Sequence, residues 1–403
     1  MGLVDPPHPL PYGRQLIEDD DVAAVTAQLR DDWLTQGPTV AAFEQALAKA
    51  TGARHAVAVS SGTAALHIAC LAARMGPESW GIVPDITFVA TANAVRYCGG
   101  APSLVDVDAE TGLVTTSTMA ERVEALSRAG HTVRALLPVS LTGAVPDLPG
   151  IQALARSVGA NVIEDCAHAL GATYQAAGIS YRAGSCAHTD MAVLSFHPVK
   201  HITTGEGGAV TTNDEAHYKL LCDLRSHGIT RDPARLQHSD GPWYYEQQSL
   251  GYNYRITDLQ CALGISQVAK LDRFVARRRE LAKRYDAGFS QTELASKFRP
   301  LSVPQGVQSS YHLYVVRLVS GANESLKEIA ARRLAVFLKL RESGIFPQVH
   351  YIPLHKQPDF VDAGHSGGQF PGADAYYASC ISLPMFPAMT DGDVERVLNC
   401  LRQ

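Results

Sequence analysis

Lys200 stands in Leu194-Ser195-Phe196-His197-Pro198-Val199-Lys200-His201-Ile202, a stretch with short apolar flanks and two imidazoles. Burial disfavours an ammonium ion, so a lysine in such surroundings offers the neutral amine that condenses with a carbonyl to form a Schiff base. Asp165 ends the apolar run Val162-Ile163. A carboxylate there either caps the following turn or meets a protonated ring nitrogen, keeping the ring electron-withdrawing. Ser60-Ser61-Gly62-Thr63 lies between an apolar run and a helical pattern. Its amides and hydroxyls are suited to a phosphate at the positive end of a helix dipole, or form a plain small-residue turn. Ser195, five positions before Lys200, adds a hydroxyl. These residues reach as far as a phosphate-bearing ligand beside a reactive amine and leave the ligand's identity open.

The elements that must position them alternate along the chain. Apolar strand runs are predicted at His55–Val59, Gly81–Pro84, Ser103–Val107, Val133–Val139 and Asn161–Asp165. Helical patterns fall at Ala64–Ala73, Thr87–Tyr97 and near Leu148–Val158. Such alternation predicts an α/β chain whose central, mostly parallel sheet is covered by helices on both faces, with ligands at strand ends and helix starts. Before this region come a proline-rich arm over 1–17 and helices at Glu18–Leu29 and Thr39–Thr51. After it come short strands at Met191–Phe196 and Ala209–Thr212, then a long irregular segment over His227–Tyr254 that suits an ordered functional loop or interface arm. A helix over Asp258–Phe289, bent near its middle, leads into a smaller α+β part with a strand at Tyr311–Leu318 and a helix at Ser325–Ser343. The expected division is 1–258 for the arm and large domain and 259–403 for a small C-terminal domain.

With 35 basic and 40 acidic residues the formal charge is −5, which gives no broad positive face for nucleic acid. The run Arg277-Arg278-Arg279 reads as a solvated helix face. Eight cysteines without a C-x-x-C pair read as reduced core thiols rather than a disulfide framework or a zinc site. No apolar stretch reaches membrane-spanning length and no charged leader precedes an apolar run, so a cytoplasmic enzyme with no membrane partner is expected.

A longer pattern adds to this. In order come Gly37-Pro38, Ser60 to Leu66, Pro84-Asp85-Ile86-Thr87-Phe88 to Asn93, Glu164-Asp165-Cys166-Ala167-His168, Ser195 to Lys200, Gly205-Glu206-Gly207-Gly208 and Gly251-Tyr252-Asn253-Tyr254-Arg255. Over nearly its whole length the chain resembles the sugar aminotransferases of the DegT/DnrJ/EryC1/StrS family, which share the aspartate-aminotransferase fold, fold type I of the pyridoxal-phosphate (PLP) enzymes. The resemblance implies pyridoxal 5'-phosphate as cofactor, Lys200 as its Schiff-base lysine and Asp165 as partner of the pyridine nitrogen. It implies His168 near the ring oxygen, Phe88 as a platform over the ring, and Gly62, Thr63 and Ser195 as phosphate contacts. Asn253 would reach the phosphate of a neighbouring subunit's cofactor, which implies a homodimer with shared active sites.

Within the family the stretches His227–Asp232, Trp243–Glu246 and Gln348–His355 are most similar to transaminases of pseudaminic acid synthesis. These move an amino group from L-glutamate to C4 of a UDP-linked 4-keto-6-deoxy-N-acetylamino sugar of the L-altrosamine type. Arg231, Arg255, His312 and Tyr351 are the substrate-binding candidates. Amination at C3 or at C4 of another nucleotide sugar, and sugar dehydration, are the alternatives. Dehydratases of the family carry histidine in place of the lysine, whereas here Lys200 is kept and His201 stands where many relatives have asparagine.

Overall fold

The computed structural model describes residues 8–365 and 368–403. Seven strands build the main sheet: β1 (His55–Val59), β2 (Ser79–Pro84), β3 (Ala101–Val105), β4 (Thr132–Leu136), β5 (Asn161–Asp165), β6 (Met191–Ser195) and β7 (Gly208–Thr212). Their order is β1-β7-β6-β5-β4-β2-β3. Neighbours from β6 to β3 run parallel, and β7 is antiparallel to both β6 and β1. Strands such as β6 are buried on both faces, which is why they read as unbroken apolar runs. The expected α/β sheet is the one observed.

Helices cover this sheet: α1 (Asp19–Leu29), α2 (Pro38–Thr51), α3 (Gly62–Ala72), α4 (Val89–Tyr97), α5 (Thr116–Arg128), α6 (Leu148–Ser157), α7 (Glu215–Arg225), α8 (Asp258–Ala269) and α9 (Leu271–Phe289). Their starts follow local chemistry. Ser61, Thr115, Asp147, Asp214 and Thr257 each accept a hydrogen bond from an amide in the first turn of the helix that follows, satisfying a donor with no intrahelical partner. Buried Asp258, the first residue of α8, caps α2 instead, accepting from the Gly37 and Thr39 amides at its start. The predicted bend lies at Lys270, between α8 and α9, whose amine bonds Asp20 and Asp21 at 2.7 Å each and ties the bend to the start of α1.

A second sheet is antiparallel, with β8 (Phe298–Pro300), β9 (Tyr314–Leu318) and β10 (Cys380–Leu383) in the order β8-β9-β10. Tyr285 of α9, Val316 of β9, Leu340 and Val394 belong to its core, and so does Leu10 of the N-terminal arm. The arm is less irregular than its prolines suggest: Leu10–Pro11 pairs in parallel with Ile345–Phe346.

The arginine run departs from its sequence reading. Arg278 is fully buried, and its Nη1 donates to the carbonyls of Tyr311, His312 and Met385. Arg279 donates to the Ser309 and Gly171 carbonyls. Arg277 reaches the Met389 carbonyl and Asp391. A guanidinium has five donors in a rigid fork and so fastens α9 to backbone that a shorter cation would not reach. All eight cysteines are free. Among the described residues, no helix is long and apolar enough to cross a membrane.

Candidate active site

The ends of β5 and β6 meet the starts of α3 and α4 around a cavity of about 410 Å³. Of the residues named from sequence, Gly62, Thr63, Phe88, Asp165, His168, Ser195, Lys200, His312 and Tyr351 line it. Arg231, Asn253 and Arg255 do not.

Lys200 follows β6 in a turn closed by its own amide donating to the His197 carbonyl at 2.9 Å. Its side chain lines the cavity and is otherwise hemmed in by protein. Desolvation pulls the ammonium pKa down to about 8, against the opposing pull of the Asp165 charge. A large share of the amine is therefore neutral near pH 8, the form a nucleophile and proton carrier needs.

Asp165, the last residue of β5, is buried. One carboxylate oxygen accepts from Thr91 Oγ1 at 2.7 Å and the other from the Ala167 amide at 3.1 Å. Thr91 Oγ1 also lies 2.8 Å from Thr87 Oγ1, four residues earlier and just before α4 begins. Since Thr91 donates to the carboxylate, Thr87 donates to Thr91. Sequence reasoning missed Thr91; the only signal was two threonines four apart at the start of α4, inside a stretch quoted for its family pattern.

At the other end of the cavity lies the start of α3. The Ser61 hydroxyl accepts from the Ala64 amide at 3.1 Å, and the first helical backbone bond runs from Ala65 to Ser61 at 3.0 Å. The Gly62 and Thr63 amides precede that bond, so they are the open donors of the helix terminus. Ser195 closes the cradle from β6: a Cβ at Gly62 would stand 3.0 Å from Ser195 Cβ and 3.2 Å from its Oγ. Ser60, grouped with this turn from sequence, does not line the cavity; its amide donates to the Tyr254 carbonyl.

Behind these residues lies an imidazole cluster. His168 and His312 have ring centroids 4.3 Å apart, and His201 lies 5.5 Å from His312. Burial drives all three pKa values well below the ordinary histidine value, so the rings are neutral. His168 Nδ1 accepts a long bond from the Thr142 amide at 3.4 Å, which places its proton on Nε2. Nε2 then donates to Tyr351 Oη at 3.1 Å, leaving the tyrosine hydroxyl proton free to point elsewhere. Phe88 is 55% exposed at the mouth, 6.0 Å from the Tyr351 ring. The segment carrying Tyr351 is pinned by Asp85 at the end of β2, which takes the His355 amide at 2.8 Å and His355 Nδ1 at 2.6 Å.

The residues outside the cavity cluster on the long loop. Asn253 is exposed and forms a bridge with Ser226. Arg231 lies over the Tyr245 ring at 5.6 Å, and Arg255 lines a separate groove with Arg225 and Glu44. A short antiparallel pairing of Ile229–Thr230 with Glu246–Gln247 closes the loop, leaving Trp243 and Leu250 more than 70% exposed.

The DegT/DnrJ/EryC1/StrS aminotransferase family model matches residues 15–402. The spore coat polysaccharide biosynthesis protein SpsC of Bacillus subtilis is 35% identical over 98% of this chain and 97% of its own. Helicobacter pylori PseC, an aminotransferase involved in the biosynthesis of pseudoaminic acid, superposes with a TM-score of 0.85 at 27% identity, covering 98% of each chain. The PLP form of Spr1654 from Streptococcus pneumoniae gives 0.84 at 27%, again over 98% of each chain. The cavity fits that cofactor: it has an amine to hold an aldehyde, a carboxylate to face a ring nitrogen, and a cradle of open amides that a side chain at position 62 would fill. The chain belongs to the DegT/DnrJ/EryC1/StrS aminotransferase family and is a fold type I enzyme dependent on pyridoxal 5'-phosphate.

Proposed function

We propose that this aminotransferase moves an amino group from L-glutamate to C4 of a UDP-linked 4-keto-6-deoxy-N-acetylamino sugar of the L-altrosamine type, a step in making pseudaminic acid. The observation that carries the chemistry is the convergence of Lys200, Asp165 and the open start of α3 on one cavity. The substrate reading is supported by the full-length likeness to PseC and by a relative concerned with polysaccharide synthesis.

Bound pyridoxal phosphate supplies an electron sink and an aldehyde that carries the amino group between donor and acceptor. Lys200 would hold the cofactor's aldehyde carbon, and its amine, when free, would move a proton at the donor's Cα and later at C4 of the sugar. A pKa near 8 suits one amine to both giving and taking that proton. Asp165, fixed by Thr91 and the Ala167 amide, holds the ring nitrogen protonated. Gly62, Thr63 and Ser195 would hold the phosphate, and Phe88 would cover the ring face. His168, in its Nε2–H form and bonded to Tyr351, would stand with it on the ring oxygen side. His312 backs His168 and borders the space for substrate.

Asn253, Arg231 and Arg255 serve a neighbouring subunit in a homodimer. Their position outside their own cavity supports this, as does the exposed apolar surface of Trp243 and Leu250 beside them. Asn253 would complete the partner's phosphate site, while the two arginines would meet the sugar nucleotide's diphosphate.

The test is to incubate the holoenzyme with glutamate and a panel of UDP- and dTDP-keto sugars and locate the new nitrogen. An amine at C4 of the UDP-linked L-altro sugar is expected. An amine at C3, a different preferred sugar, or loss of a hydroxyl overturns the substrate reading.

A further inference from the structure

Tyr12 lies in the N-terminal arm, in a stretch with no periodicity, yet its side chain lines the active-site cavity. The arm is held on several sides. Leu10, 1% exposed, is packed in the second core and paired with Ile345. The Tyr12 carbonyl accepts from the Met385 amide at 2.9 Å. At Gly13 a Cβ would sit 3.4 Å from Val199 Cβ, so the arm passes directly against the residue before Lys200. The Tyr12 ring lies 5.2 Å from His350, whose Nδ1 is bonded to Ser382 Oγ at 2.8 Å. The phenol is thus placed by main-chain and core contacts rather than by its own polar bond. Among the described residues its hydroxyl makes no hydrogen bond, and the neighbouring Tyr351 hydroxyl is engaged by His168.

We propose that Tyr12 is a specificity residue whose hydroxyl donates a hydrogen bond to a neutral oxygen of the acceptor sugar, a ring hydroxyl or an acetamido carbonyl. This rests on the reading of the acceptor as a nucleotide-linked keto sugar. Two features point to the sugar rather than to glutamate. The wall around Tyr12 is aromatic, formed with His350 and Tyr351, which suits the face of a sugar ring. His350, like His168 and His312, is neutral through burial, so these rings offer no cation to a carboxylate, and Lys200, the one lysine or arginine lining the cavity among the described residues, is engaged by the cofactor when it is bound. Burial also raises the Tyr12 pKa, keeping the phenol protonated as a donor across the working range.

The test is Tyr12→Phe, which keeps the ring on His350 and removes only the hydroxyl. Loss of one hydrogen bond to substrate is expected to raise KM for the keto sugar about tenfold while kcat changes by about twofold or less. The glutamate half-reaction, followed by the change in cofactor absorbance, serves as reference and should stay within about twofold. Calorimetric binding of UDP-N-acetylglucosamine to the holoenzyme, as a probe that does not react, should weaken by about tenfold. Unchanged KM and probe affinity, or an equal loss in both half-reactions, overturns the proposal. If the panel above reveals another keto sugar as substrate, the same comparison is made with that sugar. Failure of the C4 assignment is thereby separated from failure of the Tyr12 contact.

Discussion

Thr91 Oγ1 stands 2.7 Å from Asp165 Oδ2, joining the first turn of α4 to the end of β5 beside the cavity. A hydroxyl that donates to a carboxylate stabilises its ionised form and fixes its direction. Thr91→Val keeps the shape and removes the donor. A hydrogen bond to a charged group contributes about 1.5–3 kcal/mol, so cofactor affinity should fall at least about tenfold. Thr91→Ser should restore most of it. Titration of apoprotein with pyridoxal phosphate measures both, and a valine variant with wild-type affinity would show that Asp165 needs no such support.

Lys200 gives a pH dependence with a definite sign. Its amine titrates near 8 in the folded chain, below the ordinary lysine value of 10.5. Only the neutral amine attacks an aldehyde, so the rate of cofactor capture by apoprotein should climb with pH below about 8 and level off above it. Between pH 8 and 10.5 the unfolded chain binds more protons at this residue than the folded one. Apoprotein stability gains from Lys200 as pH rises across that window. Stopped-flow absorbance reads the capture rate, and a plateau reached only near pH 10 would contradict the assignment. Lys200→Ala should yield no borohydride-reducible link.

Much of this was legible beforehand because covered parallel strands leave a plain trace. His55–Val59 and Asn161–Asp165 coincide with their apolar runs, and the end of the second run placed Asp165 where the cavity opens. The start of α3 was equally plain, since small polar residues between a strand and a helix do local work. What stayed hidden depends on distant chain. Tyr12 reaches the cavity only because Leu10 joins a core built largely from residues beyond 280. Arg278 looks like its half-buried neighbours because helical periodicity carries no mark for a cation whose partners are backbone carbonyls, one of them 107 residues away. Asp165 was visible as a carboxylate, whereas Thr91 becomes its partner only through the packing of α4.

Arg278 should be a strong determinant of stability without touching the cavity. Its Nη1 meets three carbonyls, no carboxylate lies beside it in any ion pair among the described residues, and burial draws its pKa down to about 9. Arg278→Ala strands those carbonyls and opens a void, two effects that together cost on the order of 3–5 kcal/mol. Chemical denaturation of the apoprotein should register the loss. Arg277→Ala removes a partly exposed ion pair with Asp391 and a bond to the Met389 carbonyl, and should cost about 1 kcal/mol. Equal effects from the two would return the whole run to a solvated face.

The last prediction concerns whether two subunits share each site. Asn253 is exposed and outside its own cavity, while Lys200 lines it, so a shared site needs one residue from each chain. Lys200→Ala and Asn253→Ala homodimers would both be impaired, the first without turnover and the second with weakened cofactor binding. A hybrid of the two has one site carrying intact Lys200 with intact Asn253, and one site carrying both changes. Random reassortment makes half of the dimers hybrids with one good site in two, so mixing should recover about a quarter of wild-type activity. Sites built within single chains would give no such gain, because every chain in the mixture lacks either Lys200 or Asn253. The activity of the mixture, measured after co-refolding and compared with the sum of the separate variants, decides between the two arrangements.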